Sequence, residues 1–165
     1  MSKKAGGAKK GDDTPDVKVV ARNKKAGFDF TLEERVEAGL VLQGSEVKSL
    51  RAGNANLADA YAQPRGDELF LMNCRIGEYD KAAHFGHAPL RERKLLLGRA
   101  QIDKLATKVE RAGYTLVPTQ IYFRGGWAKV ELALAKGRTH EDRRGAIAER
   151  ESKREMDRAM SQRRR

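Results

Sequence analysis

The chain of 165 residues contains a single cysteine, a single tryptophan and three histidines. With only Cys74 present, an internal disulfide framework and a zinc site built from cysteine pairs are excluded. No apolar run reaches the length of about 18 residues that a transmembrane helix needs. The first residues are rich in lysine and glycine and lack an apolar segment, so no secretory signal peptide is predicted. These absences favour a protein of the reducing cytoplasm.

Motifs that would indicate catalysis are also missing. The sequence has no phosphate-binding loop, dinucleotide fingerprint or metalloprotease motif. His84 and His87 lack a nearby third ligand, so we interpret them as surface-loop histidines rather than a metal site. Glu33 and Glu34 point to opposite faces of a strand, which indicates a solvated edge rather than an acid–base pair. Cys74 lies among apolar residues and is interpreted as a core residue, not a nucleophile. We therefore predict no cofactor, no metal and no enzymatic activity.

The sequence does carry a large positive charge, and it lies at both ends. The formal net charge is +11, from 34 Lys and Arg against 23 Asp and Glu. Residues 1–25 and 136–165 each carry a net +5, whereas residues 26–135 carry only +1. Clustered cations favour polyanions, because each neutralised phosphate releases counterions. The pattern indicates a nucleic-acid partner rather than a membrane, since neither arm has an apolar face to insert. Tails that serve only solubility are the alternative.

The same change of composition divides the chain into three segments. Residues 1–16 are small, charged and glycine-rich, and we expect a disordered basic arm. Residues 17–138 hold most of the large apolar side chains and are expected to form the globular domain. Residues 139–165 form a basic tail with few large apolar residues, which we expect to be disordered when free and helical on an anionic surface.

Alternating apolar residues over 28–42 predict two paired strands at the start of the globular domain. Ser45 is the predicted N-cap of a short helix through Leu50, on which Glu46 is expected to face the rim and solvent. Residues 58–63 and 68–76 are the next predicted strands. On the second of these strands one face is predicted to carry Phe70, Met72, Cys74 and Ile76.

A helical stripe over residues 100–112, followed by Gly113, predicts a second helix. The strands over 114–124 and 127–135 flank Gly125-Gly126, a two-residue hairpin turn. This register places four apolar residues on one face, in the pairs Phe123–Ala128 and Ile121–Val130, and it places Tyr122–Lys129 and Gln120–Glu131 on the other. The pattern is typical of a mainly β protein, and it favours a small closed antiparallel barrel.

Basic and hydrogen-bonding side chains recur near the predicted strand ends and turns. Such groups contact phosphates and fix a protein's position on RNA, although each alone could be a solvated surface charge. Tyr122, beside Lys129 on the outward face, is either a stacking platform for a base or a cover for the exterior of the sheet. The candidate RNA-binding residues from these patterns are Asn23, Lys24, Lys25, Lys48, Arg51, Arg93, Lys94, Lys129, Lys136 and Gly137.

Several segments, taken together, resemble one family. These segments run in a single order along the chain, from about Asn23 to Arg158. They include Asn23-Lys24-Lys25-Ala26, Glu37-Ala38-Gly39-Leu40-Val41-Leu42-Gln43-Gly44, Glu46-Val47-Lys48-Ser49-Leu50-Arg51, Arg93-Lys94-Leu95-Leu96-Leu97 and Ala135-Lys136-Gly137. On these motifs the sequence is similar to the SmpB (small protein B, SsrA-binding protein) family.

The resemblance implies an OB-like closed antiparallel barrel with two or three peripheral helices and a basic C-terminal tail. It implies binding to the tRNA-like domain of transfer-messenger RNA, and delivery of that RNA to stalled ribosomes for trans-translation. Glu37 and Leu96 join the RNA-binding residues on this ground. Glu37 would accept a hydrogen bond from a base or brace a neighbouring cation, with a purely structural carboxylate as the alternative.

The resemblance also implies that the tail enters the empty mRNA channel and reaches the decoding centre of the small subunit. The tail residues are His140, Asp142, Arg143, Arg144, Lys153, Arg154 and Met156. Glu141 stands where the family has His or Tyr, and Arg143 replaces the usual Lys with a different phosphate-binding geometry.

The expected partners are therefore transfer-messenger RNA and the ribosome, with no membrane, and the free protein is expected to be a monomer. The alternatives are a general OB-fold factor for structured RNA or ribosome assembly, and an RNA-processing enzyme. A general factor would bind unrelated structured RNAs with similar affinity.

Overall fold

Strands dominate the computed structural model, which describes residues 16–79, 86–137 and 140–163. The strands are β1 (Val17–Arg22), β2 (Phe30–Leu40), β3 (Ala55–Asn56), β4 (Tyr61–Arg65), β5 (Glu68–Met72), β6 (Arg75–Ile76), β7 (Arg93–Leu96), β8 (Thr115–Arg124) and β9 (Trp127–Gly137). The helices are α1 (Ala26–Asp29), α2 (Gly44–Arg51), α3 (Arg99–Ala112) and α4 (His140–Arg163). His84 and the basic arm expected over 1–16, apart from Asp16, lie outside the described residues.

The main sheet is antiparallel and its pairings return on themselves. Its strands follow the order β1-β8-β4-β5-β7-β2-β9, and β8 also pairs with β9. Six strands therefore form a ring, and β1 adds to β8 outside it. The strands β3 and β6 form a separate two-stranded sheet. The prediction of a mainly β, antiparallel protein is confirmed.

The hairpin between β8 and β9 has the predicted register. Phe123 pairs with Ala128 and Tyr122 with Lys129. Gly125 and Gly126 have φ values of 56° and 83°, which the two central residues of such a turn require. Because this pairing holds, the residues that alternate with the core-facing ones point outward along both strands.

Two strand predictions were wrong. Residues 28–42 do not form two strands: β2 is continuous, with an irregularity in its pairing between Leu32 and Arg35, and Phe28 lies in α1. The break in alternation at Glu33-Glu34 thus marks a bulge rather than a turn. In β5 the buried residues are Leu69 and Leu71, not Phe70 and Met72.

The phase error in β5 has a local cause. Asn73 has a positive φ of 52°, so it ends β5 before Cys74 and Ile76. A residue in this region reverses the chain locally and resets the alternation that a continuous strand would keep. Cys74 and Ile76 are therefore buried as predicted, although they are not on the strand that carries Phe70.

A buried ion network fastens α2 to β7. Glu46, expected at the surface, is fully buried, and its Oε1 accepts a hydrogen bond of 2.9 Å from Nε of Arg93. Arg91 donates to the same carboxylate at 2.7 and 3.0 Å, and the main-chain N–H of Gln43 donates to it at 2.8 Å. Gln43, and not the predicted Ser45, is the N-cap of α2. Burial alone would raise the pKa of Glu46, but the two arginines and the Gln43 amide outweigh it and hold the pKa below its ordinary value.

Cys74 and His87 lie near this network, and the prediction held for one of them and not for the other. Burial raises the pKa of the Cys74 thiol to about 11, and the prediction of a core cysteine is confirmed. The prediction of a surface-loop histidine was wrong for His87, which is buried. Its Nε2 donates to the carbonyl of Ile76 at 2.9 Å, and its Nδ1 lies 2.8 Å from Oγ of Ser45. This histidine ties the segment before β7 to α2.

Candidate nucleic-acid interface

Residues from four strands meet on one outward surface of the ring, which we call the outer face. It consists of the outward side chains of β8, β9, β2 and β7: Tyr122, Arg124, Trp127, Lys129, Glu37, Gly39 and Leu96. Gly39 lies opposite both Lys129 on β9 and Leu96 on β7, and Lys129 lies opposite Tyr122 on β8. The intervening residues Ala38 and Val130 point into the core. The fold therefore brings Glu37, Lys129 and Leu96 together from distant parts of the chain.

Glu37 is the centre of this surface. Its Oε2 accepts a hydrogen bond from the hydroxyl of Tyr122 and lies 3.0 Å from Nη1 of Arg124. Its Oε1 lies 3.9 Å from Nζ of Lys129. Of the roles considered for Glu37, the geometry shows the bracing of neighbouring cations. Arg124 is thus paired directly with Glu37, Lys129 lies close to the same carboxylate, and the side chains of both cations are partly exposed.

Tyr122 is not a stacking platform, contrary to one of its two predicted roles. Only 4% of the residue is exposed, because the guanidinium of Arg124 lies over its ring at 5.6 Å. Burial and the neighbouring Glu37 carboxylate raise the pKa of Tyr122 well above its usual value. The hydroxyl therefore remains a hydrogen-bond donor at neutral pH and orients Glu37.

Gly39 lets Leu96 lie across the face. A Cβ atom built on Gly39 would come within 3.2 Å of Cβ of Leu96, closer than neighbouring side chains normally approach. Leu96 is 53% exposed despite its apolar side chain. The outer face thus offers an apolar surface beside the two cations that Glu37 holds.

The loop before α1 contributes cations next to this face. Asn23 donates from Nδ2 to the carbonyls of Leu57 and Pro118, and its Oδ1 accepts from the amides of Lys25 and Ala26. All four hydrogen-bonding positions of the Asn23 amide are therefore occupied within the protein. Asn23 consequently positions the loop, and the exposed side chains of Lys24 and Lys25 are the groups left to contact RNA.

A shallow cavity of about 310 Å³ joins this loop to the outer face. Arg22, Lys24 and Arg35 contribute to its lining, together with Glu131. Glu131 holds Arg35 at 2.8 Å and lies opposite Glu37 in the sheet. The basic surface therefore continues from Arg22 and Lys24 to Arg124 and Lys129.

The other candidates from the sequence lie apart or are buried. Arg93 is fully buried, with its guanidinium bound to Glu46 and to main-chain carbonyls, so it cannot reach RNA and is removed from the set. Lys94 lies on the outer side of β7, where its Nζ contacts Glu68 at 2.6 Å. Lys48 and Arg51 on α2 lie over the rings of Tyr79 and Phe123.

Lys136 and Gly137 lie at the far end of β9. Lys136 is seven residues from Lys129 along the strand, a separation of about 23 Å. Its Nζ lies over the ring of Tyr114 at 5.9 Å, and Gly137 pairs with Phe30. The fold therefore does not bring these two residues to the outer face.

The tail forms α4, a long and mostly exposed helix. His140 and Asp142 lie in its first turn, while Arg144, Lys153, Arg154 and Met156 are exposed along it. Nε of Arg143 is buried without a hydrogen-bond partner in the described part of the chain. The helix meets the globular part at α1, where the guanidinium of Arg150 lies 5.4 Å from the ring of Phe28.

Within the ranges that the structure describes, no three His, Cys, Asp or Glu side chains are grouped so that they could hold a metal ion. Among the same residues, no helix has the length and apolarity that crossing a membrane requires.

Comparisons with known proteins point to one family. The model of the family described as SmpB protein matches residues 20–162. An SsrA-binding protein of Anaeromyxobacter sp. (strain Fw109-5) is 67% identical over the full length of both chains. One of Myxococcus xanthus is 59% identical over 96% of this chain and 99% of its own.

A solved structure agrees with these relatives. It is described as "tmRNA-SmpB: a journey to the center of the bacterial ribosome". The matched chain is 41% identical, with a TM-score of 0.63, and the match covers 77% of this chain and 93% of that chain.

Proposed function

The chain belongs to the SmpB protein family, and from this membership and the outer face we propose that it binds the tRNA-like domain of transfer-messenger RNA and delivers it to stalled ribosomes. The relatives named SsrA-binding protein and the solved structure described as tmRNA-SmpB support this function. The observation that carries the proposal is the convergence of Glu37, Lys129 and Leu96, from three strands, on one surface. The protein acts as an adaptor and not as an enzyme, and it works in the cytoplasm as a monomer.

The surface suits a folded RNA for physical reasons. Folded RNA presents dense phosphates together with unpaired bases in its loops, which are recognised by cations and by flat or apolar surfaces. Arg124 and Lys129 are already held by Glu37, so little side-chain entropy is lost when they meet phosphates. Leu96 adds an apolar contact beside them. Lys24, Lys25 and Lys94 extend the contact area on either side, and Asn23 acts through the loop that it shapes.

The domain over residues 17–138, which contains the six-stranded ring, corresponds in this proposal to an OB-like closed barrel. The arm over 1–16 and the tail over 139–165 flank it. A lone polar helix is marginal in water, so in this proposal the tail is disordered in free solution. The helix α4 is then the form that the tail adopts inside the mRNA channel. His140, Asp142, Arg143 and Arg144 act near the decoding centre. Further along the helix, Lys153, Arg154 and Met156 follow the channel.

The test is a comparison of two single-carboxylate variants of the full chain. Glu37→Ala removes the group that holds Arg124 and Lys129. Glu34→Ala is the matched control, because Glu34 also holds two cations, Lys104 at 3.0 Å and Lys108 at 2.6 Å, away from the outer face. Both variants gain the same net charge, which by itself strengthens RNA binding slightly.

We expect Glu37→Ala to weaken binding to the tRNA-like domain by about tenfold or more, because Arg124 and Lys129 lose the carboxylate that orients them, and Glu34→Ala to leave the affinity unchanged or slightly raised. Affinity is measured by gel shift with an unrelated structured RNA as competitor. Equal affinities for the two variants would contradict the assignment of the outer face. Equal affinity of the wild-type protein for both RNAs would instead favour a general RNA-binding factor.

A further inference from the structure

The tip of the β8–β9 hairpin exposes a large aromatic side chain of the outer face to which no role has yet been assigned. Trp127 is 76% exposed, more than any other large apolar residue among those described. Tryptophan contributes strongly to stability when it is buried, so an indole left in solvent adds little to the fold. Its large apolar surface is therefore available to a partner.

The position of Trp127 relates it to the outer face. It lies opposite Arg124, and Arg124 lies opposite Val17 on β1, so these three residues form one row across the sheet. The next row along the strands contains Tyr122 and Lys129. Trp127 therefore continues the outer face to its edge, next to the cation that Glu37 holds at 3.0 Å.

The turn adds no side chain beside the indole, because its two central residues are Gly125 and Gly126. With Trp127 76% exposed, a flat ligand can approach the indole from solvent. The arrangement pairs an open aromatic surface with a fixed guanidinium, which suits a nucleobase and its phosphate.

We propose that Trp127 stacks on an unpaired base of the bound RNA, while Arg124 contacts the adjoining phosphate. This inference rests on the proposed function, because the RNA is the one that the outer face binds. Aromatic stacking accepts any base, since every base has a π-face, so Trp127 adds affinity and places the hairpin at a loop of the RNA rather than reading its sequence. It is a binding residue separate from the Glu37 cluster.

The test uses the fact that the protein has a single tryptophan. Its fluorescence therefore reports on position 127 alone. Titration of the full-length protein with the tRNA-like domain should quench this fluorescence, with a midpoint at the Kd measured by gel shift. Unchanged fluorescence at saturating RNA would overturn the stacking.

Substitution supplies the second measurement. Trp127→Ala should weaken binding about five- to a hundredfold, the range found for stacked aromatic residues, and Trp127→Phe should recover most of the loss. The matched control is Leu90→Ala, another exposed apolar residue, 59% exposed, outside the outer face. Leu90→Ala should bind like the wild type.

Salt separates stacking from charge. The fold-loss of Trp127→Ala should persist at raised salt, whereas the loss caused by Lys129→Ala should shrink, because only the cation's contribution depends on counterion release. If Trp127→Ala binds like the wild type while Glu37→Ala is weakened, the stacking is wrong and the proposed function stands. If wild-type protein shows no preference for the RNA, the proposed function itself fails.

Discussion

At the scale of residues, two carboxylates show how burial separates stability from binding. Glu37 and Glu46 each hold two cations, but Glu46 is fully buried and Glu37 is partly exposed. Arg91 and Arg93, the two cations that Glu46 holds, donate their hydrogen bonds to other groups of the protein. The two cations beside Glu37 have partly exposed side chains, which a phosphate can reach. The same ion-pair chemistry thus serves the core in one case and the interface in the other.

We expect Glu46→Ala to destabilise the protein by about 3–5 kcal/mol, because Arg93 would remain buried without its carboxylate. The control is Glu92→Ala, which breaks the exposed ion pair with Arg65 and should cost far less, because exposed ion pairs contribute little to stability. Urea unfolding at neutral pH measures both changes. Similar small losses would show that the Glu46 network contributes little to stability.

The same network should make stability depend on acid pH. The pKa of Glu46 is held below its ordinary value of 4.5, so its contribution is complete above that value and is lost as the pH falls through the lower folded pKa. Unfolding free energy should therefore fall less steeply below pH 4.5 in Glu46→Gln than in the wild type. Parallel curves for the two proteins would contradict this linkage.

At the level of residues, the sequence predicted placement correctly where the signal was local: the hairpin register put Lys129 on the outward face. The resemblance supplied Glu37 and Leu96, whose binding to RNA stays a prediction. The burial of Arg93 could not be anticipated, because its partner Glu46 lies 47 residues away and no short-range pattern links them. Arg124 was not predicted, because in the sequence a cation beside a turn looks like any solvated charge. Only the fold shows that its side chain contacts Glu37.

At the scale of elements, turns decided which predictions were right. The pair Gly125-Gly126 is typical of a two-residue hairpin turn, so the β8–β9 hairpin was predicted together with its register. Asn73 gives no such signal, since asparagine is also common in ordinary loops, and the phase of β5 was lost. The bulge in β2 was mistaken for a turn because both interrupt an alternating pattern.

The helix α4 differs from the other helices in having almost no buried side. Its stretch of sequence carries 7 Lys and Arg against 6 Asp and Glu, so the helix itself is nearly neutral. Arg150, Arg154 and Arg158 recur every four residues and share one stripe. Arg150 contacts Phe28, and the other two continue the stripe along the exposed helix.

Gly145 allows the helical form of the tail to be tested at one position. Gly145→Pro should destabilise the helix by about 2 kcal/mol, whereas Gly145→Ala should stabilise it by about 1 kcal/mol. A Cβ atom at this site would meet nothing within 4 Å, so the alanine control introduces no clash. We expect the proline variant to bind the tRNA-like domain normally and to lose tagging of stalled peptides, with the alanine variant active in both assays. Full tagging by the proline variant would show that the helix is dispensable.

At the scale of the whole molecule, the net charge and the shaped binding surface lie in different parts of the chain. The globular part is almost neutral overall, so we expect its binding to depend on where Glu37 and Glu131 hold Arg124, Lys129 and Arg35. The ends carry the net charge and supply long-range attraction to any polyanion. In the proposed function, selectivity therefore depends on the outer face and accommodation on the ribosome depends on the tail.

Truncation after Gly137 tests this division. It removes 10 Lys and Arg and 6 Asp and Glu, so affinity for the tRNA-like domain should fall only modestly, and mainly at low salt where the tail's net charge is least screened. Tagging of stalled peptides should be abolished. Gel shifts across salt concentrations and a tagging assay measure the two activities. A truncated protein that no longer binds the RNA would place part of the RNA site in the tail.

The burial of Cys74 has a practical consequence for following the tail. With a pKa of about 11, only about one thiol in ten thousand is ionised at pH 7, and the group has no access to solvent. Thiol-reactive dyes and spin labels should therefore not react with Cys74 in the native protein. A cysteine introduced by Met156→Cys would be labelled selectively, and distances from that label could follow the helix from free solution to the ribosome.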